Sequence, residues 1–381
     1  MFDDNLLPTV RIYGLARSEL THEQLRERLK PYLLKGHAES VVDEFLACCY
    51  YHASPSYGDA AAFADLASKI QEYENHKGEN KNRLFYFAIP PSVFADTAVA
   101  IKEHCMQDEA VGWTRLIVEK PFGRDLESFE ELNAKLSQHF EEDHIYRIDH
   151  YLGKELVQNL QVLRFSNIWF EKVWSAENIQ CVIFTFKEPF GTEGRGGYFD
   201  QYGIIRDICQ NHLLQVMTLT CMEPPTKVEG PMAGNAVRDA KVKELNATSP
   251  LTVEDARLGQ YEGYADDETI TNKDTNTPTF CVLKFNVNTP RWHGVPFFMK
   301  AGKALDERKA EIRIQFKDAP AAEYIFEGEA CPRNELGTSP CLLCQVHSLP
   351  FPSHAHATPR SHLHEDQCQE SGFHRQHGAI R

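Results

Sequence analysis

The sequence contains no long apolar run, and it carries little positive charge. No stretch of its 381 residues reaches the roughly 20 apolar residues that a membrane-spanning helix needs. Its first residues, Met1 to Asp4, lack the basic and apolar regions of a secretory signal, so we expect a cytoplasmic location. Lysine and arginine number 40 against 55 acidic residues, and the net charge of -15 argues against broad binding to nucleic acid or to anionic membranes. A small anionic ligand would therefore need a locally basic pocket.

The cysteines also lack the spacing of a disulfide framework. Of the eleven cysteines, those up to Cys281 are scattered among apolar neighbours, as Cys48 and Cys49 are, which is typical of reduced and buried thiols. Nearer the C-terminus, a standard zinc spacing is absent from the set Cys341, Cys344, His354 and His356. We therefore predict no metal site.

Hydrophobic periodicity divides the chain into two domains and a tail. Up to residue 150, strand patterns at 10–16, 84–89 and 115–118 alternate with helical patterns, which predicts a doubly wound, Rossmann-like α/β domain whose parallel sheet is covered on both faces. Residues 151–336 show alternating strand patterns around one apolar helical segment, which predicts an α+β domain with a mainly antiparallel sheet. Residues 337–381 keep no periodicity and are predicted to be disordered.

One segment, residues 145–155, concentrates reactive side chains where a strand is predicted to meet a helix. It contains Asp149, His150, Tyr151 and Lys154. The free N–H groups of a helix N-terminus, beside a histidine and a lysine four residues apart on one helical face, would form a seat for a phosphate. Alternatively, Asp149 caps the helix and Lys154 is merely solvated.

Two further residues have the chemistry of an active site. His212 lies in the apolar helical segment and is either an ordinary core histidine or a general base. As a base it would need a carboxylate on one ring nitrogen, for which Asp149 is the candidate, and a substrate hydroxyl near the other. Lys120 ends a strand of the first domain, at the edge where open α/β sheets bind ligands.

The second domain contains a glycine-rich loop and a basic cluster. Residues 187–198 form either a flexible connection between strands or a substrate loop. The cluster is either a solvated face or the positive field that an anionic ligand requires, and it consists of Lys300, Lys303, Arg308, Lys309 and Arg313.

Five motifs together resemble the glucose-6-phosphate dehydrogenase family. In family order they are Glu-Lys-Pro-Phe-Gly at 119–123, Arg-Ile-Asp-His-Tyr-Leu-Gly-Lys-Glu at 147–155, the loop 187–198, the segment 207–215 and Gly-Lys-Ala-Leu at 302–305. The resemblance extends from about residue 6 to residue 336. It implies NADP-dependent oxidation of glucose 6-phosphate at C1 to 6-phosphogluconolactone, the first step of the pentose phosphate pathway.

The resemblance also implies a role for each candidate residue. His212 would be the general base, oriented by Asp149. The substrate would be bound through its phosphate by His150, Tyr151 and Lys154, through its hydroxyls by Glu188 and Asp207, and elsewhere by Lys120, Lys303 and Arg308. The cofactor would be contacted by Arg17 at the 2′-phosphate of NADP, by Phe94 where many members have a tyrosine, and by Lys120 near the nicotinamide. A second, structural NADP site would involve Lys300, Lys309 and Arg313.

Two departures from the family pattern change these expectations. No strand and Gly-x-x-Gly-Asp-Leu-Ala turn precede Val10, and such a turn holds the pyrophosphate on a helix N-terminus. We therefore expect this chain to bind NADP poorly, which a cofactor-fluorescence titration would test. After Leu336 the family pattern stops, so much of the interface of the family's homodimers or homotetramers is expected to be missing. The alternative interpretation is an impaired variant that binds sugar phosphate or regulates an intact partner subunit.

Overall fold

The computed structural model of the protein describes residues 10–77, 81–226, 233–325, 333–339 and 342–346. Its strands are β1 (Ile12–Ala16), β2 (Cys49–Ala53), β3 (Arg83–Phe87), β4 (Thr114–Val118), β5 (Ile145–Arg147), β6 (Ile179–Lys187), β7 (Ala256–Gly259), β8 (Phe280–Asn286), β9 (Pro296–Gly302), β10 (Lys309–Phe316), β11 (Glu335–Ser339) and β12 (Leu342–Val346). Its helices are α1 (His22–Leu33), α2 (Glu39–Ala47), α3 (Ala60–Lys77), α4 (Phe94–Ala100), α5 (Leu126–Ser137), α6 (Glu155–Phe165), α7 (Ile168–Val173), α8 (Gly196–Ile204), α9 (Leu214–Cys221), α10 (Ala233–Asn246) and α11 (Ala322–Ile325).

Shorter helical segments complete the described chain. Single turns of 3-10 helix cover Pro91–Val93, Glu142–His144, Val253–Asp255 and Tyr264–Asp266. A π-helical segment, Ile101–Cys105, continues α4, and a second, Ile205–Leu213, joins α8 to α9. Among all the residues that the structure describes, no helix has the length and apolar character needed to cross a bilayer.

The first domain has the predicted α/β architecture, with its parallel strands in two sheets. β1 pairs with β2, and β3, β4 and β5 form a second sheet in that order. Thr21 and Gln24 form the capping box that begins α1, because each side chain accepts a hydrogen bond from the backbone N–H of the other. The prediction that both sheet faces are covered is wrong for the described residues, since Leu84 and Tyr86 on β3 are 55% and 53% exposed.

The second domain is built on one seven-stranded sheet, which is mainly antiparallel, as predicted. Its strand order is β12-β11-β10-β6-β9-β8-β7, and every pair except β6 with β9 is antiparallel. The sheet continues through β11 and β12, so the predicted start of disorder at residue 337 is wrong. Pairing with β10 supplies hydrogen-bond partners for the backbone N–H and C=O groups of β11, whose own hydrophobic periodicity is weak. The rest of the predicted tail, 340–341 and 347–381, lies outside the described residues.

The cysteines whose side chains the structure describes, all of them up to Cys281, are free. Five of them, Cys49, Cys105, Cys209, Cys221 and Cys281, are buried. The sulfurs of Cys209 and Cys281 are 3.4 Å apart, in contact but not bonded. The prediction of buried thiols without disulfides is confirmed for these five, whereas Cys48 and Cys181 are only partly buried.

Three buried side chains anchor the C-terminal end of α9, the helix that follows His212. Arg164 donates from Nη1 to the carbonyl of Leu219 at 2.7 Å and from Nη2 to that of Met222 at 2.8 Å. Trp174 and Trp292 donate to the two carbonyls between them. These carbonyls have no partner within the helix, so the side chains supply the bonds that a helix end otherwise takes from water.

Candidate active site

A cavity of about 840 Å³ brings most of the predicted site residues together. It is bordered by the end of β4, the turn after β5, the π-helical segment and the sheet of the second domain. The predicted residues that line it are Lys120, His150, Tyr151, Lys154, Glu188, Asp207, His212, Lys303, Arg308 and Lys309. The cavity therefore joins positions that are far apart in the sequence.

The turn between β5 and α6 does not have the predicted helical geometry. Lys154 is the N-cap residue of α6, so His150 lies in the turn before the helix. Asp149 does not cap α6, and that alternative is wrong, because its Oδ1 accepts from the backbone N–H of Tyr151 at 2.9 Å. The Lys154 ammonium lies 5.0 Å from the centre of the Tyr151 ring. The cationic and aromatic side chains therefore share one turn.

His212 and Asp149 form a hydrogen-bonded pair. Nδ1 of His212 lies 2.6 Å from Oδ1 of Asp149, and the two side chains are 1% and 11% exposed. The Tyr151 ring stacks on the imidazole and the His150 ring meets it edge-on, each with a centroid distance of 4.5 Å. Because a carboxylate accepts hydrogen bonds only, Nδ1 is the donor, and Nε2 of the neutral ring is left to accept a proton.

The surroundings of the Asp149–His212 pair shift the pKa of Asp149 itself and of the adjacent His150 and Tyr151. Burial opposes ionisation of Asp149, but the hydrogen bond and charge of His212 outweigh it and hold the pKa of that carboxyl below its ordinary value. Burial, together with the charge of His212, lowers the pKa of His150. Burial, with the nearby Glu188 and Asp149, raises the pKa of Tyr151. The turn thus presents an ionised acid, an imidazole biased to its neutral form and a phenol that keeps its proton.

Four charged residues alternate in sign along the cavity wall. Nζ of Lys120 lies 3.0 Å from Oδ1 of Asp207. Nζ of Lys303 lies 2.7 Å from Glu188 and 3.9 Å from Asp207. Lys120 follows β4, Glu188 follows β6 and Lys303 follows β9, so three strand ends position the network around the π-helical Asp207. Such pairs present carboxylate acceptors and ammonium donors together, as the hydroxyls of a sugar require.

Several predicted residues lie away from the cavity lining. Phe94 is fully buried against Phe87, so its ring belongs to the domain core, and its contact with a cofactor stays a prediction. Arg17 follows β1 and is exposed, and its guanidinium carbon, Cζ, lies 5.9 Å from the centre of the Tyr57 ring.

The residues predicted for a second NADP site share one sheet face. Lys309 and Arg313 lie two residues on either side of Glu311 on β10, at 3.2 Å from its carboxylate. Lys300 belongs to the same row, because it and Glu311 both pair with Thr185 on β6. The predicted basic residues therefore lie together on one sheet face, with Glu311 between Lys309 and Arg313.

Some cavity residues were not singled out from the sequence. Glu119 and Arg195 line it, as does Lys187, whose ammonium bonds to Asp306 at 3.0 Å. Glu119 and Lys187 sit at the ends of β4 and β6, so strand-end position was the available signal. Arg195 lies in a loop where no pattern distinguishes it from a solvated arginine.

The described residues contain one group whose potential ligand atoms could surround a metal ion. It consists of Asp149, His150 and His212, with those atoms within 4.8 Å of one another. Because Oδ1 of Asp149 and Nδ1 of His212 already bond to each other, we interpret the group as an acid–base pair. The absence of a metal site stays a prediction, and of the four residues discussed for zinc, Cys344 alone lies within the described chain.

Both halves of the chain match one family of known proteins. Residues 1–159 match the NAD binding domain of glucose-6-phosphate dehydrogenase and residues 161–339 match its C-terminal domain. A glucose-6-phosphate dehydrogenase solved in complex with its substrate glucose-6-phosphate is 46% identical, with a TM-score of 0.80, covering 89% of this chain and 70% of that one. The chain belongs to the glucose-6-phosphate dehydrogenase family. The match to the NAD binding domain indicates a nicotinamide dinucleotide cofactor.

Other members show how much of the family protein is present. The cytoplasmic isoform of glucose-6-phosphate 1-dehydrogenase from Solanum tuberosum is 50% identical over 86% of this chain. The glucose-6-phosphate 1-dehydrogenase structure from Mycobacterium avium is 33% identical, with a TM-score of 0.78, and 89% of this chain and 71% of that one are covered. The chain spans 63% of the length of the Solanum tuberosum protein.

Proposed function

We propose that the chain acts as a glucose-6-phosphate dehydrogenase, which oxidises glucose 6-phosphate at C1 with NADP as hydride acceptor. The observation that carries the proposal is the bond between Asp149 and His212 beside a cavity with basic side chains on its wall. Lys154, with His150 and Tyr151, supplies the positive and hydrogen-bonding groups for a phosphate. The substrate of the solved relative, glucose-6-phosphate, has this combination of phosphate and hydroxyls.

The reaction needs a base at the C1 hydroxyl. Nε2 of His212 accepts the hydroxyl proton as C1 gives up its hydride, which leaves the lactone. Asp149 stabilises the imidazolium that forms, and it fixes the tautomer in which Nε2 is free. Asp207 and Glu188, each paired with a lysine, orient the ring hydroxyls so that the C1 hydroxyl faces the base.

NADP supplies the hydride acceptor when it is bound. The residues proposed to hold it are Lys120, which follows β4 at the edge of the cavity, and Arg17, which follows β1. These positions fit a dinucleotide because both lie at the carboxyl ends of parallel strands. The partly buried sheet face that carries Lys300, Lys309 and Arg313 is proposed as the second NADP site. The relatives named as cytoplasmic isoforms support a cytoplasmic location.

The direct test follows NADPH absorbance with purified chain, glucose 6-phosphate and a titration of NADP to high concentration. We expect NADPH to form, and to form much more slowly with unphosphorylated glucose, because glucose lacks the group that the Lys154 turn binds. No NADPH at any cofactor concentration, while glucose 6-phosphate still binds, would support the alternative of a binding subunit instead.

Replacing Lys154 with methionine is expected to raise KM for glucose 6-phosphate by about 10- to 100-fold, since one charge-assisted hydrogen bond to the phosphate is lost. KM for NADP should stay unchanged. Steady-state kinetics with each substrate varied in turn measure both values. Lys172→Met is a matched control at an exposed position on α7. An equal rise in both KM values would assign Lys154 a general structural role instead.

Replacing Arg17 with leucine is expected to lower the ratio of kcat/KM for NADP to that for NAD by about 10- to 100-fold, because the 2′-phosphate loses its cationic partner. The value for NAD should hardly change, since NAD lacks this phosphate. Arg28→Leu, at an exposed position on α1, is the control. A parallel fall for both cofactors would show that Arg17 does not read the 2′-phosphate.

A further inference from the structure

The glycine-rich loop of the second domain is held by two side chains that lie 71 to 73 residues further along the chain. Oδ2 of Asp267 accepts hydrogen bonds from the backbone N–H groups of Gly194, at 2.9 Å, and of Gly196, at 3.3 Å. The hydroxyl oxygen of Thr269 accepts from the N–H of Gly197 at 2.8 Å. Two side chains therefore bind three backbone donors of this loop.

Two adjacent glycines allow this close approach. A Cβ atom on Gly197 would lie 2.3 Å from the carbonyl oxygen of Thr269, and one on Gly196 would lie 2.8 Å from Cγ of Asp267. Because a side chain at either position would push the two segments apart, the packing requires glycine. The sequence left open whether residues 187–198 are a flexible connection or a substrate loop, and this packing favours a fixed loop.

The same contacts complete the N-terminus of α8, which begins at Gly196. Its N-cap residue, Arg195, makes no side-chain capping bond. The first N–H groups of a helix have no partner within it, and Asp267 and Thr269 supply acceptors for those of Gly196 and Gly197. A carboxylate is also favoured at this end of the helix dipole. Asp267 therefore caps α8 from another part of the chain.

Hydrogen bonds within its own segment keep Asp267 directed at the loop. Its Oδ1 accepts from the backbone N–H of Thr269 at 2.8 Å and from its hydroxyl at 2.6 Å. Nζ of Lys273 donates to the carbonyls of Ala265 and Asp267. The hydrogen bonds from Thr269, with those from the loop glycines, hold the pKa of the Asp267 carboxyl below its ordinary value. Asp267 is therefore an ionised acceptor at neutral pH.

The held loop reaches the charged network of the cavity wall. Arg195 and Tyr198 line the cavity, and Cζ of Arg195 lies 5.5 Å from the centre of the Tyr198 ring. The carbonyl of Arg195 accepts from the N–H of Phe199 at 3.0 Å, and the Phe199 ring centre lies 5.4 Å from Nζ of Lys303. Lys303 bonds to Glu188, an acid assigned above to the sugar hydroxyls. A continuous series of contacts thus joins the capping carboxylate to the substrate site.

We propose that Asp267 is a positioning residue for substrate binding, which fixes the loop 191–197 as a preformed wall of the cavity that receives glucose 6-phosphate. The proposal rests on the dehydrogenase function proposed above. Without Asp267 the loop is ordered only when the substrate binds, and the entropy lost in ordering it weakens binding. Substrate affinity therefore falls, whereas the saturated complex keeps its geometry and its rate.

The kinetic test replaces Asp267 with alanine. KM and the calorimetric Kd for glucose 6-phosphate are expected to rise by about 10-fold, because charge-assisted hydrogen bonds to the loop are lost, while kcat stays within about twofold of wild type. Asp267→Asn is expected to be intermediate, since its amide oxygen still accepts from the loop but carries no charge. Asp266→Ala, at the adjacent exposed position, is the control and should keep all three values.

Hydrogen exchange followed by mass spectrometry tests the loop directly and needs no turnover. Peptides that span 191–197 are expected to be protected in the wild-type chain without substrate, and to exchange about 10-fold faster in Asp267→Ala. Glucose 6-phosphate should restore much of the protection in the variant, because the bound substrate orders the loop. Peptides from β6 report the stability of the whole domain and should exchange at the wild-type rate.

The two measurements separate failure of this inference from failure of the proposed function. If the wild-type chain neither binds nor oxidises glucose 6-phosphate, the proposed function fails, and hydrogen exchange still decides whether Asp267 fixes the loop. Unchanged exchange of 191–197 in Asp267→Ala overturns the inference, and so does faster exchange with an unchanged Kd. An equal rise in the exchange of β6, or a loss of kcat with KM unchanged, would assign Asp267 a general structural role and also overturn it.

Discussion

Replacing His212 with asparagine is expected to lower kcat for glucose 6-phosphate by about 10²- to 10⁴-fold, the contribution typical of a positioned general base. Asparagine is close in size to histidine, and its amide can still donate a hydrogen bond to Asp149. It offers no group that accepts the C1 proton. KM for glucose 6-phosphate should change little, because the phosphate is held by the turn around Lys154. Initial rates of NADPH formation and calorimetric binding of the sugar phosphate measure the two effects.

The control for this substitution is His293→Asn, at an exposed position outside the cavity, which should keep wild-type rates. The result that contradicts the assignment is a His212→Asn variant with more than about a tenth of wild-type kcat, because a true base contributes more than that. An unchanged kcat with a much larger KM would instead place His212 among the residues that bind substrate.

The residues of the candidate active site could be predicted from the sequence, whereas the distances between them could not. His212 and Asp149 were each predicted from their residue type and local setting, but 63 residues separate them, and only the fold brings them to 2.6 Å. Local pattern cannot supply that distance, because it is set by how the π-helix packs on the turn after β5.

Secondary structure was predictable where the periodicity was strong. Strands β6, β8 and β10 alternate clearly, and the alternating patterns at 180–186, 280–287 and 311–316 predict each within a few residues of its observed bounds. Residues 38–50 have a helical periodicity, but α2 ends at Ala47 and Cys49 begins β2, because pairing with β1 overrides local preference. Strand β7 is short and largely exposed, and it exists because β8 pairs with it. These elements are defined by their partners in the sheet, which a local pattern does not contain.

Replacing Arg164 with methionine is expected to lower the free energy of unfolding by about 3 kcal/mol, from two lost charge-assisted hydrogen bonds at a buried helix end. Arg164 is 1% exposed, and the carbonyls of Leu219 and Met222 would be left without a donor. Methionine fills much of the same volume, so the loss reports the polar contacts rather than a cavity. The buried Glu244 would also lose a nearby positive charge. Urea unfolding followed by circular dichroism measures the difference.

The matched control is Arg238→Met, because Arg238 is a 55% exposed arginine whose ion pair with Glu142 spans 3.8 Å. Surface ion pairs of this kind contribute about 0 to 1 kcal/mol to the free energy of unfolding, so that of Arg238→Met should be close to the wild-type value. A loss for Arg164→Met no larger than that of the control would show that water or rearranged side chains satisfy the end of α9. The expected result would show instead that a buried arginine fixes the C-terminal end of α9, the helix that continues the segment carrying His212.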